Sequence, residues 1–275
     1  MRFPTGGIVR EPQGRAGVTP APTVTVRMKG EKMNNLINTA RENLPTVAGF
    51  VLTIISLFVI AYAAQKLQRK KEDAKGRILN LQAMAVIGMF SAVAAVLMLF
   101  EVPLPFAPSF YKFDFSEIPV MICAFAYGPV AGVMTEFLKI ILKLVFKGTS
   151  TAFVGDLANF AVGCSYMLPA SIIYSLNKKK KTAVIGCIAG TLVMTVFGTA
   201  FNAVYLLPAF SKLFGMPMDV ILDMGAKVNP LVKGDVVSFV IACVAPLNLI
   251  KGTVVSVVTM LIYKPLSPLI KKSQG

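Results

Sequence analysis

Four stretches of the chain, residues 46–64, 81–100, 157–176 and 182–207, carry no charged side chain. Each is close to the roughly 20 apolar residues that a helix needs to cross the hydrocarbon core of a bilayer, and each is predicted to span a membrane. A transmembrane β-barrel, with its short alternating strands, is excluded. Two further apolar segments are less simple. Residues 118–146 form one long helix or two short ones folded back at Gly128-Pro129. Residues 247–263, preceded by Pro246, read as the last span, behind an outer segment of mixed short stretches at 210–245.

The basic residues decide between one crossing and two at 118–146. Clusters follow the first span (Lys66, Arg69, Lys70, Lys71, Lys75, Arg77), follow residue 177 (Lys178, Lys179, Lys180, Lys181) and close the chain (Lys264, Lys271, Lys272). Two crossings put all three clusters on the cytoplasmic side, as the positive-inside rule requires; one crossing would put the last two outside. A proline also breaks a helix interior, and glycine before it suits a tight turn. The first limb is short, and its start is expected near Asp114, where Asp114 and Glu117 have capping-box spacing. The expected architecture is an all-α integral membrane protein in which one extra N-terminal transmembrane helix precedes a compact six-helix block. Residues 1–32, rich in Gly, Pro and Thr, are expected to be disordered. Residues 33–79 hold an interfacial segment, the extra helix and a basic linker, and residues 80–275 hold the block.

Composition agrees and removes much chemistry. Of 275 residues, 55% are hydrophobic and 15% charged, with a mean hydropathy of +0.70, too apolar for a soluble domain of this size. The chain has no histidine, so the usual general base, the Ser-His and Cys-His nucleophile pairs and the commonest transition-metal ligand are missing. Its 4 cysteines lie singly in apolar segments without metal or redox spacing. No phosphate-binding G-x-x-x-x-G-K-[ST] loop occurs, so energy for any transport must come from a gradient or a partner. The net charge of +15 sits at helix ends rather than on a soluble face, which argues for the lipid bilayer and against nucleic acid as the basic residues' partner.

Polar groups within spans are costly, so their placement is informative. Glu136, Lys139 and Lys143 share one helical face; they can pair to hold helices together or serve a site directly, and the spacing leaves both open. With the topology above, Asp156 and Asn159 open a helix on the outer side, Asn202 and Tyr205 end one there, Asn248 and Lys251 open the last, and Asp114 lies in the outer loop. Amide, carboxylate and ammonium groups from four elements thus meet at one level, the pattern of a solute pocket. Phe106, Phe110, Tyr111, Phe113 and Phe115 in the same loop can cover a flat ligand.

The runs KFDFSEIP (112–119), AFAYGPVAG (124–132), KGTST (147–151) and APLNLIKG (245–252) together resemble the riboflavin-binding S components of energy-coupling factor transporters. The resemblance covers roughly residues 81–266. It implies a multi-pass protein of the bacterial cytoplasmic membrane that captures riboflavin as a transported ligand rather than a cofactor. Its partners would be a transmembrane coupling subunit and two cytoplasmic ATPase subunits, and it would itself be no enzyme. By position the resemblance implies that Asn202, near the end of the fifth helix, and Asn248 and Lys251, opening the sixth, would meet the flavin; Asp114, Asn159 and Tyr205 from the topology above and Phe115 from the aromatic loop complete the expected substrate-binding set. Small residues on the first helix of the block, Gly88 with Ala92 and Ser91 with Ala95, would approach the coupling subunit; they keep the spacing of the family's Ala-x-x-x-Ala pattern but not its strict alanines. An S component for another vitamin and a non-transport membrane scaffold are the competing readings.

Overall fold

The computed structural model describes residues 38, 41, 42, 44–71 and 78–272. The segment expected to be disordered, most of the interfacial segment and the end of the basic linker lie outside the described residues. Helix α1 (Leu44–Lys71) is followed by α2 (Leu81–Leu99), a two-residue antiparallel pair β1 (Val102–Pro103) and β2 (Lys112–Phe113), then α3 (Glu117–Tyr127), α4 (Pro129–Lys147) and α5 (Val154–Leu176). Helix α6 (Lys180–Phe201) runs through a π-helical turn (Asn202–Leu206) into α7 (Leu207–Phe214). Helix α8 (Met218–Val228) and the short α9 (Val236–Phe239) follow, and a second π-helical turn (Val240–Val244) leads into α10 (Ala245–Lys272).

Among the described residues, 5 helices are long and apolar enough to cross a membrane. The two remaining crossings of the sequence reading fall on α3 and α4, of 11 and 19 residues, which fold back on each other at Gly128-Pro129. Gly128 has φ 93°, a conformation that disfavours any Cβ, and Pro129 opens α4, where its missing N–H costs nothing. At 1.5 Å per residue α3 is only about 16 Å long. It starts at Glu117 rather than near Asp114, and the expected capping box does not form. Asp114 Oδ1 instead accepts the Ser116 N–H at 2.8 Å, while the Glu117 carboxylate turns inward to Lys139 at 3.0 Å.

Two predicted helix ends are not ends. The helix containing Asn202 and Tyr205 continues to Phe214, and the last helix begins at Val236, so that Pro246 lies within it. Both continuations use the same device. The hydrogen bond closing each π-helical turn runs from Leu207 N–H to Asn202 O and from Ala245 N–H to Val240 O. In each case the next residue is a proline, Pro208 or Pro246. The wider turn places the missing N–H and the bulky ring where the helix already departs from i→i+4 pairing, so the proline is tolerated.

The extra helix α1 is largely exposed, as a lipid-facing helix is, and rests on α4 and α5. Its buried Gln65 locks the hairpin: Nε2 donates to Tyr127 O at 3.1 Å and Oε1 accepts from Val130 N–H at 2.9 Å. Gln68 adds a bond to Ile172 O at 3.1 Å. These contacts bring the Lys66, Arg69 and Lys70 segment to the end of the bundle where α5 finishes and Lys178 to Lys181 follow. Gln65→Leu removes the side chain that bonds both Tyr127 O and Val130 N–H and is expected to lower stability by about 1–3 kcal/mol, read as an earlier thermal melt in detergent.

A candidate ligand cavity at one end of the bundle

At the end opposite those lysines the helices enclose a cavity of about 340 Å³, within the roughly 300–1,000 Å³ typical of small-molecule sites. The loop at 101–116 supplies Phe110, Tyr111 and Asp114, α3 supplies Glu117, and α5 supplies Asp156 and Asn159. Asn202 comes from the first π-helical turn, and Asn248 and Lys251 from α10. The antiparallel order of the helices makes this convergence possible: α5 and α10 begin here, and α4 and α6 finish here.

The polar groups are wired to one another. Lys251 Nζ lies 3.0 Å from Asp114 Oδ2 and 3.7 Å from Glu117 Oε1. Burial by itself would raise the Asp114 carboxyl, but Lys251, Lys139 and hydrogen bonding from Ser116 hold it down at about 2. The folded pKa is depressed, so the contribution of this pair is complete above the ordinary carboxylate range and is lost only as pH falls toward about 2. The Tyr111 hydroxyl donates to Asn202 Oδ1 at 2.7 Å, and Asn202 Nδ2 donates to Gly198 O at 2.7 Å. Burial pushes the Tyr111 phenol well above its ordinary range, which keeps it a donor. Asn159 Nδ2 bonds back to Gly155 O at 3.1 Å. Asn248 differs: its Nδ2 is buried with no hydrogen-bond partner. An unpaired buried donor of this kind is uncommon in a folded protein and calls for an explanation.

Below the cavity lies an ionic cluster. Lys139, fully buried, sits 2.6 Å from Glu136 Oε1 and 3.0 Å from Glu117 Oε1, and donates to Ser116 Oγ at 3.2 Å. The two carboxylates crowd against Gly163 on α5. A Cβ there would stand 2.5 Å from Glu136 Oε1 and 3.0 Å from Glu117 Oε2, so glycine makes room for the cluster. Lys143 pairs with Asp156 at 2.6 Å, and Thr149 caps the other oxygen of Asp156 at 2.8 Å. At the mouth, Lys112 at 2.6 Å and Lys147 at 3.0 Å grip Glu101, joining the loop to the end of α4. Partial burial would raise the Glu101 carboxyl, but these two ammonium groups hold it below its ordinary value.

Asp114, Asn159, Asn202, Asn248 and Lys251 line the cavity; Phe115 and Tyr205 do not. Successive side chains of an extended segment point to opposite sides, so with Asp114 turned inward Phe113 and Phe115 share the other side, where their rings meet edge to face at 4.9 Å. The π-helical turn swings Tyr205 off the face of Asn202, and its ring packs on Phe201 at 5.1 Å. Glu117 was legible only as a capping residue, and Glu101 carried no signal of its own.

Residues 82–263 match the family model of the ECF transporter, substrate-specific component. The chain belongs to this family. Among its relatives, the riboflavin transporter FmnP of Bacillus subtilis (strain 168) is 32% identical over 72% of this chain and 98% of its own length. The riboflavin transporter RibU of Staphylococcus aureus (strain TCH60) is 34% identical over 71% and 97%. A solved S component of a bacterial ECF transporter is 34% identical, with a TM-score of 0.54, and covers 69% of this chain and 97% of its own.

Within this S component, the two small-residue pairs of α2 face different ways. Ser91 and Ala95 are buried inside the bundle, and Ser91 Oγ bonds Ile87 O at 2.7 Å and Thr135 O at 3.3 Å across to α4. They are spent on packing and leave the partner-facing set. Gly88 and Ala92 are exposed on the outer face.

Proposed function

We propose that this S component captures riboflavin from outside the cell in the cavity described and passes it inward together with a transmembrane coupling subunit and two cytoplasmic ATPase subunits. The unpartnered Asn248 amide carries the reading: a flavin ring has carbonyl and ring-nitrogen acceptors on its polar edge, and a buried donor without a partner is stabilised by meeting one. Lys251 stands one helical turn further on the same face of α10, while Phe110 and Tyr111 offer aromatic surface to the ring. The relatives named above, both riboflavin transporters over nearly their whole length, support the choice of ligand. The absence of a nucleotide-binding loop in the sequence fits a subunit that borrows its energy. Absorption of the detergent-purified protein tests the ligand: a flavin band at one per chain is expected, and protein that stays colourless after expression with riboflavin would turn the reading toward another vitamin or a scaffold.

Docking on the coupling subunit is assigned to the exposed Gly88 and Ala92 of α2. Ala92→Trp adds bulk outside the bundle, so it is expected to leave flavin affinity unchanged and to cut uptake in cells carrying the coupling and ATPase subunits. Full uptake with Ala92→Trp would remove this face from the docking surface.

A further inference from the structure

A second concavity, of about 630 Å³, runs along the outside of the bundle between α6 and α10 and shares no lining residue with the ligand cavity. Val184, Ile188 and Leu192 form one wall, and Leu249, Val257 and Leu261 the other. The hydroxyls on its floor are engaged within the protein: Thr191 with Cys187 O at 2.9 Å, Thr253 with Leu249 O at 2.7 Å, and Ser256 with the Tyr166 hydroxyl at 2.8 Å. The floor therefore offers a polar ligand little, and a hydrocarbon chain a continuous apolar bed. Among the described residues no acidic side chain lines it, and Lys180 closes one end with Lys178, Lys179 and Lys181 exposed beside it. Along α6 the distance from Lys180 to Leu192 is about 18 Å at the helical rise, close to the roughly 15 Å half-thickness of a bilayer core.

We propose that this groove is a binding site for an anionic phospholipid, one acyl chain lying between α6 and α10 and the phosphate held by the lysines at the start of α6. Both requirements are on the same surface: an apolar channel one leaflet deep, and four consecutive cations where the headgroup of a lipid lying in it must be. The site is distinct from the flavin cavity and does not depend on the identity of the transported ligand.

Native mass spectrometry of the purified protein, incubated with equal amounts of phosphatidylglycerol and phosphatidylcholine of the same chain length, tests it. The wild type should retain phosphatidylglycerol several-fold over phosphatidylcholine. Lys180→Gln combined with Lys181→Gln should bring the two lipids toward parity, and Thr253→Phe, which fills the groove, should lower phosphatidylglycerol retention several-fold. Melting followed by circular dichroism checks that each variant folds, and Ile188→Phe fills the same groove from the other helix if Thr253→Phe does not. Equal retention of both lipids by the wild type would overturn the proposal. So would unchanged phosphatidylglycerol retention by folded groove-filled variants; if those variants also lost uptake with the coupling subunits present, the groove would instead receive a protein helix.

Discussion

Lys139→Met is expected to prevent this protein from accumulating in folded form. The ammonium group is fully buried and is the shared counter-ion of Glu136 and Glu117, themselves 0% and 2% exposed. Deleting one partner of a buried ionic cluster leaves the others without compensation, at a cost of about 3–5 kcal/mol, a large fraction of the roughly 5–15 kcal/mol that holds a typical protein folded. The cost should be specific to charge. In the double variant Lys139→Met with Glu136→Met, Glu117 keeps Lys251 at 3.7 Å as its remaining cation, and much of the loss should return. Yield of monodisperse protein and the melting temperature in detergent read the effect. A single variant as stable as the parent would mean that the cluster contributes nothing to the fold.

The second large effect concerns binding, and here two neighbouring amides should part company. Asn248→Ala removes a donor that has no partner in the protein, so folding should change little. The ligand edge left unpaired should cost about 1–3 kcal/mol, roughly ten- to hundredfold in riboflavin affinity. Asn202→Ala should weaken binding comparably but also destabilise the protein, because it strands the buried Tyr111 hydroxyl and removes the side-chain bond to Gly198 O, which keeps the backbone N–H of residue 202. Fluorescence titration gives the affinities, and thermal melts separate the two variants. Unchanged affinity in both would take these residues out of the site.

What the sequence made legible followed from strong, local physics. Uncharged runs of bilayer length and basic clusters at their ends gave the spans, and Gly128-Pro129 gave the hairpin, because a positive-φ glycine before a helix-opening proline admits few other geometries. The topology placed Asp114, Asn159, Asn202, Asn248 and Lys251 at one level, and they line one cavity. The misses came from tertiary context. Asn202 and Tyr205 read as the end of one helix and Pro246 as the boundary before the last, yet π-helical turns ahead of Pro208 and Pro246 let both helices run on, and the first of these turns moved Tyr205 off the face expected for it. Asp114 and Glu117 had the spacing of a cap, but Lys139 and Lys251, distant in sequence, claimed both carboxylates. Ser91 and Ala95 had the composition of an interface and were buried against α4. Small residues suit close packing whichever helix lies opposite, and only the fold says which.

Riboflavin is expected to bind in the cavity at this end of the bundle. Titration of riboflavin into purified protein stripped of flavin, followed by quenching of flavin fluorescence, tests it most directly. Saturable quenching at one flavin per chain, weakened about ten- to hundredfold by Asn248→Ala, is the predicted result. Linear, non-saturating quenching by the folded wild-type protein would contradict it.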